Sequence, residues 1–364
     1  ADADFNILYV TSNADCGSGY VPCYESIQNA VDAARDGDTI KVASGTYTGV
    51  QNIPSLNSEQ WGTYFTATQI VAITKTVVLQ GGYSESNWST PDPETNPTVL
   101  DAQGQGRCLY VKGSATVSGF QITGGDASEL GGDPWSGASN HGVGGGIFVY
   151  GSSATIRNNE VLSNTAQKGG GVFLREGVIE LENNRIFGNI ATINGGGIDL
   201  RYADSLIESN VIRHNEAFGW GGGLQLYGSN ASLISNIIRN NTGHNGGGGV
   251  FIFSKGYGEQ PTSFTNTVII DNAVTDPTGV GSAVALKYGA YPQFVQTTIS
   301  GNEGGDGSSI IVSQGSSITL INTVLTNHAI GVSVTNGSTA TVDGVLWYDN
   351  ALNQGGAGVA YITD

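Results

Sequence analysis

A glycine repeat constrains this chain more than any other feature. Three glycines followed by an aliphatic residue occur five times, and the last glycine of each run falls at position 146, 171, 197, 223 and 249. The steps are therefore 25, 26, 26 and 26 residues. A fixed period of roughly 20 to 50 residues is typical of stacked units that bury their apolar faces only against neighbouring units. The sequence therefore predicts a solenoid.

The residues after each glycine run alternate between two faces, as in a β-strand. Further apolar groups within each repeat predict at least two more short strands. Three short strands and three turns use about 25 residues and leave no room for a helix. The pattern therefore predicts an all-β fold, a right-handed parallel β-helix with three short strands per coil. The residues expected to form one interior column are Ile147, Val172, Ile198, Leu224 and Val250.

Asparagines follow the same period. Asn159, Asn184, Asn210 and Asn236 are each followed five residues later by Asn164, Asn189, Asn215 and Asn241. Glycine and asparagine tolerate a positive φ at least cost, and stacked amides hydrogen-bond from coil to coil. We interpret both series as structural corners.

The chain is predicted to form a single domain over 1–364. Residues 1–48 hold a first strand, a disulfide loop and a helix from Ser26 to Arg35 that caps the first coil, and residues 49–142 form coils interrupted by long loops. Residues 143–274 form the regular coils and residues 275–364 the last ones. No evident cap follows the last coil, so we expect another molecule or further polypeptide to cover its strand edges.

Three loops interrupt the period, from Val50 to Thr68, from Tyr83 to Pro97 and from Asp126 to Gly142. Loops of this length are either functional or packed over one face, and the sequence leaves both alternatives open. Trp61 and Trp135 lie in two of these loops.

Charge and cysteine content limit the function classes. A net charge of −17 argues against a nucleic-acid partner, which requires clustered Lys and Arg, and no apolar run has the length of a membrane span. The start at Ala1 without Met suits an exported chain at the cell surface or outside the cell. We expect a disulfide between Cys16 and Cys23 and a buried, unreactive Cys108. Sequons permit glycosylation at Asn87, Asn230, Asn240 and Asn336.

The run from Ser26 to Tyr47 resembles the opening of secreted bacterial proteins of the pectin-lyase-like superfamily. The Gly-Gly-Gly-aliphatic pattern with Asn-rich segments such as Ile186 to Asn189 is similar to the repeats of polymorphic outer membrane proteins and related surface β-helix proteins. The resemblance covers about residues 26–350. It implies the fold and an extracellular setting, but the superfamily contains lyases, hydrolases, epimerases, adhesins and tailspikes.

The outward residues after the glycine runs form a predicted strip on one face. Aromatic rings stack on sugar faces, and cationic side chains hold carboxylates or sulfates, so the strip suits a polysaccharide. Stacked rings on a parallel sheet also stabilise one another without a ligand. The predicted ligand-binding residues are Tyr110, Lys112, Phe148, Tyr150, Phe173, Arg175, Arg201, Tyr227, Phe251 and Phe253.

A polysaccharide lyase must neutralise a uronate and place a base near the sugar C5. Arg175 and Arg201 are the candidate neutralisers, Asp199 the orienting group and Tyr227 the base. Asp199 between two arginines is also typical of a surface ion-pair network. The strip lacks the second carboxylate that a hydrolase needs. No metal site is predicted, and no cofactor is expected, with Ca²⁺ left open for the lyase alternative.

Two hypotheses follow. The first is a non-catalytic exported protein with a structural or adhesive role, which binds polysaccharide or stacks end to end with itself. The alternative is a polysaccharide lyase, or another carbohydrate-active enzyme, that acts on an acidic glycan.

Overall fold

The structure is a computed structural model that describes residues 6–53, 58–60, 63–65, 68–133, 141–254 and 262–363. Trp61, Trp135 and the insertion 255–261 lie outside these residues. Parallel strands stack coil on coil into a β-helix, with one short helix, α1 (Ile27–Ala33), near the N-terminus. The predicted parallel β-helix and its capping helix are confirmed.

Three faces run along the helix axis, and a short fourth strand completes six of the coils. The first face carries the strands that follow the glycine runs: Thr68–Ile73, Arg107–Val111, Ile147–Tyr150, the first half of Val172–Glu182 and of Ile198–Glu208, Leu224–Tyr227, Val250–Phe253, Val284–Lys287, Ser308–Val312, Ile330–Val334 and Leu352–Gly355.

The second face continues from the first without interruption in two coils, where both strands merge into one. Its strands are Ile7–Val10, Cys23–Tyr24, Thr39–Ala43, Val78–Tyr83, Thr116–Ser118, Ala154–Arg157, the second half of Val172–Glu182 and of Ile198–Glu208, Ala231–Ile234, Ser263–Thr265, Gln293–Val295, Ser317–Ile321, Thr339–Asp343 and Val359–Thr363.

The third face is a separate sheet of eleven strands: Gly45–Tyr47, Thr98–Asp101, Phe120–Thr123, Glu160–Leu162, Arg185–Phe187, Val211–Arg213, Ile237–Arg239, Val268–Ile270, Thr298–Ser300, Val324–Thr326 and Leu346–Tyr348. The short fourth strands are Thr165–Lys168, Ile190–Asn194, Glu216–Ala217, Thr242–Gly243, Ala273–Val274 and Glu303–Gly304. Antiparallel pairs decorate the first coils: Gln51–Asn52 with Thr68–Ile73, Ser58–Gln60 with Thr63–Phe65, and Gly132–Asp133 with His141–Gly142.

The predicted interior column is present. Ile147 pairs with Val172, and the register continues through Ile198, Leu224 and Val250 with every side chain buried. Because each coil lies about 4.8 Å from the next, these aliphatic side chains contact one another along the axis. The core therefore grows in one dimension, as the repeat predicts.

The glycine runs form a tight corner between the short strand and the first face. The first glycine of a run has a left-handed backbone, with a φ of 61° at Gly169. The third has no room for a side chain, since a Cβ on Gly171 would lie 2.7 Å from the carbonyl oxygen of Gly197 on the next coil. Only glycine satisfies both requirements.

The two asparagine series form buried hydrogen-bonded ladders. Nδ2 of Asn189 donates to Oδ1 of Asn215 at 3.0 Å and to the carbonyl oxygen of Val161 at 2.9 Å, while its own Oδ1 accepts from the backbone and side chain of Asn164. Both polar atoms of this buried amide are therefore satisfied without water.

The second ladder extends beyond the predicted asparagines to a histidine. It runs through Asn272 and Asn302 to His328, whose Nε2 lies 3.4 Å from Asn302 Nδ2 and whose Nδ1 lies 3.2 Å from Asn350 Oδ1. A neutral ring with its proton on Nδ1 fits both neighbours. Burial lowers the pKa of His328 from 6.5 to about 4, although the hydrogen bond that Nδ1 donates to Asn350 opposes this shift.

The N-terminal end of the coil is covered. Helix α1 begins after Ser26, whose Oγ accepts from the N–H of Asn29, and it buries Ile27 and Val31 against the first coils. The predicted disulfide between Cys16 and Cys23 is present, and Trp88 donates from Nε1 to the Cys16 carbonyl oxygen at 3.2 Å. Helix and disulfide loop thus close this end.

The last coil exposes half or more of Leu346, Tyr348, Leu352, Tyr361 and Ile362. Within the described ranges, no helix is long and apolar enough to cross a membrane.

Candidate functional site

The outward side chains of the first face form two columns. One column holds Phe148, Phe173, Asp199, Gln225 and Phe251, and the next holds Tyr150, Arg175, Arg201, Tyr227, Phe253 and Lys287. Both follow directly from strand alternation and the 26-residue register. The sequence therefore predicted correctly which residues share this face.

The N-terminal half of the face is closed, which corrects the expectation of an open strip. Tyr110, Phe148 and Phe173 are buried in a second hydrophobic cluster with Ala72 and Val143. Buried rings offer no face to a sugar. Lys112 is exposed and Tyr150 half-buried.

Arg107 binds the segment that covers this half of the face, at Gly131 and Val143. Its Nε donates to the carbonyl oxygen of Val143 at 2.8 Å and its Nη2 to that of Gly131 at 2.6 Å, while the guanidinium lies 5.5 Å from the Phe148 ring. Charged donors make the stronger class of hydrogen bond, particularly where water is excluded. At its described ends, the loop from Asp126 to Gly142 therefore acts as a packed cover over the face.

Asp199 and Arg201 form a buried ion pair. Nε and Nη2 of Arg201 reach Oδ1 and Oδ2 of Asp199 at 2.9 and 3.0 Å, and the carboxylate has no exposed surface. A carboxylate held by two parallel hydrogen bonds has a fixed orientation. Asp199 thus orients Arg201, while its own oxygens do not reach a surface ligand.

Arg175 lies beside Arg201 in the register but faces a different neighbour. Its Nε lies 3.2 Å from Oε1 of Glu176, its guanidinium lies 5.8 Å from the Tyr150 ring, and the side chain is buried. The structure therefore brings Asp199, Arg201 and Tyr227 to one place and leaves Arg175 covered.

The C-terminal half of the face opens into a cleft of about 430 Å³. We call it the first-face cleft. Its lining combines three cationic side chains with five rings and two amides: Lys168, Arg201, Lys287, Trp220, Tyr227, Phe251, Phe253, Tyr288, Asn194 and Gln225.

A ladder of rings forms one side of the cleft. Tyr227 and Phe253 stack with centroids 4.7 Å apart and planes 9° apart, and Phe253 contacts Tyr288 at 4.6 Å. Tyr227 and Phe253 are half-buried and Tyr288 is exposed over half of its surface. The rings stack on one another and present their remaining surface to the cleft.

Lys287, the next residue of the same column after Phe253, and Trp220 form another part of the lining. Lys287 Nζ lies 3.9 Å from the Trp220 ring centroid, and burial lowers the pKa of this lysine. Phe251 supports the Trp220 ring from below at 4.8 Å. Within the described part of the chain, no carboxylate lies within ion-pair distance of this ammonium.

Gln225 lies in the buried wall between Asp199 and Phe251. Its Oε1 has no hydrogen-bond partner among the described residues, although the side chain is almost fully buried. An acceptor in this state costs about 1–3 kcal/mol relative to a satisfied one. Because this oxygen is itself buried, it lies in the wall behind the cleft and offers no surface to a ligand.

Several lining residues escaped the sequence prediction for one reason. Lys168, Asn194 and Trp220 each stand immediately before a glycine run, where the corner turns their side chains toward the first face. All three occupy the same position of successive repeats, and this shared position could have identified them from the sequence. Gln225 and Lys287 belonged to the predicted strip but lacked an assigned role.

No cluster of three metal-ligating side chains occurs in the ranges that the structure describes. Among the sequons, Asn87 and Asn336 are exposed, whereas Asn230 and Asn240 are partly buried, and Asn230 Nδ2 donates to Asp204. Burial raises the pKa of Cys108 to about 12, which suits the predicted unreactive thiol.

Comparison with known proteins identifies the repeat. The family model of the right-handed β-helix region matches residues 95–257 and 139–305. No curated protein matches the chain. Similar solved structures include an alginate lyase from Paenibacillus sp. str. FPU-7, with 13% identity, a TM-score of 0.42 and 99% of each chain covered.

Two further structures show the same level of similarity. A family 28 exopolygalacturonase from Yersinia enterocolitica is 12% identical with a TM-score of 0.40, over 98% of this chain and 78% of that one. The A-module of a mannuronan C-5 epimerase from Azotobacter vinelandii is 14% identical with a TM-score of 0.37, over 93% and 94%.

Proposed function

Because the chain belongs to the family of right-handed β-helix proteins, with residues 95–305 matched, we propose that it is an exported, non-catalytic protein that binds an acidic polysaccharide in the first-face cleft. Its role is structural or adhesive, at the cell surface or outside the cell. The proposal depends on the chemistry of the cleft.

One observation carries the proposal. Lys287, whose ammonium has no carboxylate partner among the described residues, lines the same cleft as the partly exposed rings of Tyr227, Phe253 and Tyr288. An acidic sugar carries an anionic group for this ammonium. Trp220, Tyr227 and Phe253 supply the apolar contacts that a sugar ring needs.

The charge of the cleft contrasts with that of the whole chain. The protein carries 31 acidic and 14 basic residues, yet the printed cleft lining holds Lys168, Arg201 and Lys287. The charge of Arg201 is balanced by Asp199, so the two lysines supply the positive charge of the cleft. On an acidic protein, such a cationic site is the place where an anionic ligand is favoured.

Catalysis is less well supported than binding. A lyase needs a base beside the sugar C5. Asp199 is held by Arg201 and fully buried, and the Tyr227 ring is stacked on Phe253. A hydrolase needs two carboxylates across the bond, and the lining offers none.

A binding panel tests the proposal. Purified protein is titrated calorimetrically with polyuronate, sulfated and neutral oligosaccharides. We expect the acidic ligands to bind, and Lys287→Met to weaken binding at least tenfold, since a charge-assisted hydrogen bond contributes about 1.5–3 kcal/mol. Affinity should fall as salt rises.

Lys112→Met is the matched control, because Lys112 is exposed on the closed half of the same face. It should leave binding unchanged. Equal loss in both variants would place the ligand outside the cleft, and equal affinity for neutral and acidic sugars would refute the charge argument.

The lyase alternative has a separate readout. β-Elimination from a polyuronate creates an unsaturated uronate that absorbs in the ultraviolet. We expect no rise in absorbance over hours, with or without Ca²⁺. A rise that disappears in Tyr227→Phe or Arg201→Ala would replace the binding proposal with the enzymatic one.

Self-association is a second candidate role, favoured by the exposed apolar side chains of the last coil, among them Leu352 and Tyr361. Association of two copies through these side chains is tested by analytical ultracentrifugation of Tyr361→Asp against the wild type. Identical monomeric behaviour in both would refute it.

A further inference from the structure

A second groove lies on the other side of the coil, at the corner between the second and third faces. Its volume is about 550 Å³, and we call it the corner groove. Its polar lining comes from three third-face strands and from the turns before two of them: Gln121, Asn158, Glu160, Asn183 and Arg185. Pro93 forms the facing wall.

The wall is rigidly built. Pro93 lies so close to Gly82 that a Cβ there would be 2.8 Å from its ring, and the N–H of Asp92 donates to the Gly82 carbonyl oxygen at 2.7 Å. Trp88, in the same loop, is buried against the disulfide loop. The groove therefore exists before any ligand arrives, which reduces the ordering cost of binding.

The polar groups in the groove combine donors and acceptors at fixed places. Glu160 accepts from Arg185 Nη1 at 2.5 Å and lies 3.5 Å from Gln121 Nε2, so its carboxylate is held in position. Asn158 and Asn183 occupy left-handed turn positions on successive coils, with φ of 55° and 52°. Their exposed amides each offer a donor and an acceptor.

The charged side chains of the corner groove are mainly acidic, whereas those that line the first-face cleft are basic. Glu94 and Glu160 outnumber Arg185 in the lining, so an anionic ligand is disfavoured. Alternating amides and a carboxylate complement neighbouring hydroxyl groups, each of which donates and accepts. The edge of the Pro93 ring offers an apolar contact for one side of a sugar.

We propose that the corner groove binds a neutral sugar unit, as a glycan site separate from the first-face cleft. The proposal does not depend on the function of that cleft. If both sites are occupied, one molecule of the protein links an acidic glycan in the first-face cleft to a neutral glycan in the corner groove.

Saturation-transfer NMR and calorimetry with neutral gluco-, manno- and galacto-oligosaccharides test the site. Asn158→Gly with Asn183→Gly removes both amides and keeps the left-handed backbone, so the fold is retained. We expect at least a tenfold loss of affinity for the neutral sugar. Asn266→Gly is the matched control, since Asn266 has a φ of 50° at the equivalent turn outside the groove, and it should bind as the wild type.

Lys287→Met separates this inference from the function of the cleft, and it should leave neutral-sugar binding intact. Loss of neutral binding in Lys287→Met, rather than in the double glycine variant, would assign the sugar to the cleft and overturn the inference. Absence of any neutral binding at millimolar sugar, or preference for a cationic amino sugar, would overturn it as well.

Discussion

His328 gives the sharpest test of the ladder. The ring replaces an asparagine in a column of buried amides, and only its neutral form lets Nε2 accept from Asn302 while Nδ1 donates to Asn350. A second proton on the ring would set two donors against each other in a buried place. Burial of the ring also disfavours its charged form and lowers its pKa to about 4, while the hydrogen bond to Asn350 opposes this shift.

The sign and size of the pH effect follow from linkage. The unfolded chain binds a proton at His328 below pH 6.5 and the folded chain only below about pH 4, so stability is lost as the pH falls between these values. The full loss is about 3 kcal/mol at 1.36 kcal/mol per pH unit. At pH 4.5 it reaches about 2.5 kcal/mol of unfolding free energy.

Urea unfolding at pH 7 and pH 4.5 measures this loss in the wild type, His328→Asn and His214→Asn. An asparagine at 328 continues the ladder without titrating, so His328→Asn should lose about 2.5 kcal/mol less than the wild type on acidification. His214 is exposed in a turn, and its replacement should change nothing. Other titrating groups act equally in all three proteins. Equal acid sensitivity in the wild type and His328→Asn would refute the tautomer assignment.

Three further predictions concern the buried polar groups. Arg107→Met should lower the unfolding free energy by about 2–4 kcal/mol in urea titration, because the carbonyl oxygens of Val143 and Gly131 lose their donors; an unchanged midpoint would contradict its role as a fastener. Asn215→Ala should cost at least about 3 kcal/mol, since the amide bridges three coils, whereas exposed Asn266→Ala should cost clearly less. Cys108 should react with a maleimide only in denaturant, given its burial and raised pKa, and labelling of the native protein by mass spectrometry would contradict this.

The repeat made the fold predictable from the sequence, but the loops limited how well the exposure of the site residues could be predicted. A period of 26 residues with strand alternation placed Ile198 inside and Asp199 outside, and the structure agrees. The burial of Phe148 and Phe173 depends on Val143 and Arg107, which contact the face from outside the local pattern. Such contacts do not repeat along the sequence. The repeat therefore predicts that an aromatic side chain points outward, but not whether a loop covers it.

The first-face cleft illustrates the same limit. Tyr227 and Phe253 were predicted as neighbours, and they stack. Trp220 was not predicted as a lining residue. It lies in the turn before a glycine run, where the two-residue alternation of a strand does not specify the side-chain direction that brings it beside Lys287. The sequence left open whether Asp199 belongs to a surface ion-pair network or to a catalytic site; the structure shows a buried pair with Arg201, while Arg175 lies beside Glu176.

The direction of the amides in the second ladder has a consequence for engineering. From Asn164 to Asn272 every Nδ2 donates toward the C-terminal neighbour, so any two adjacent rungs are interchangeable at their junction. The segment from one ladder asparagine to the next is therefore a unit that can be duplicated. Each inserted copy would add one coil to the β-helix, and the Nδ2 at each junction would meet an Oδ1 acceptor on the neighbouring coil.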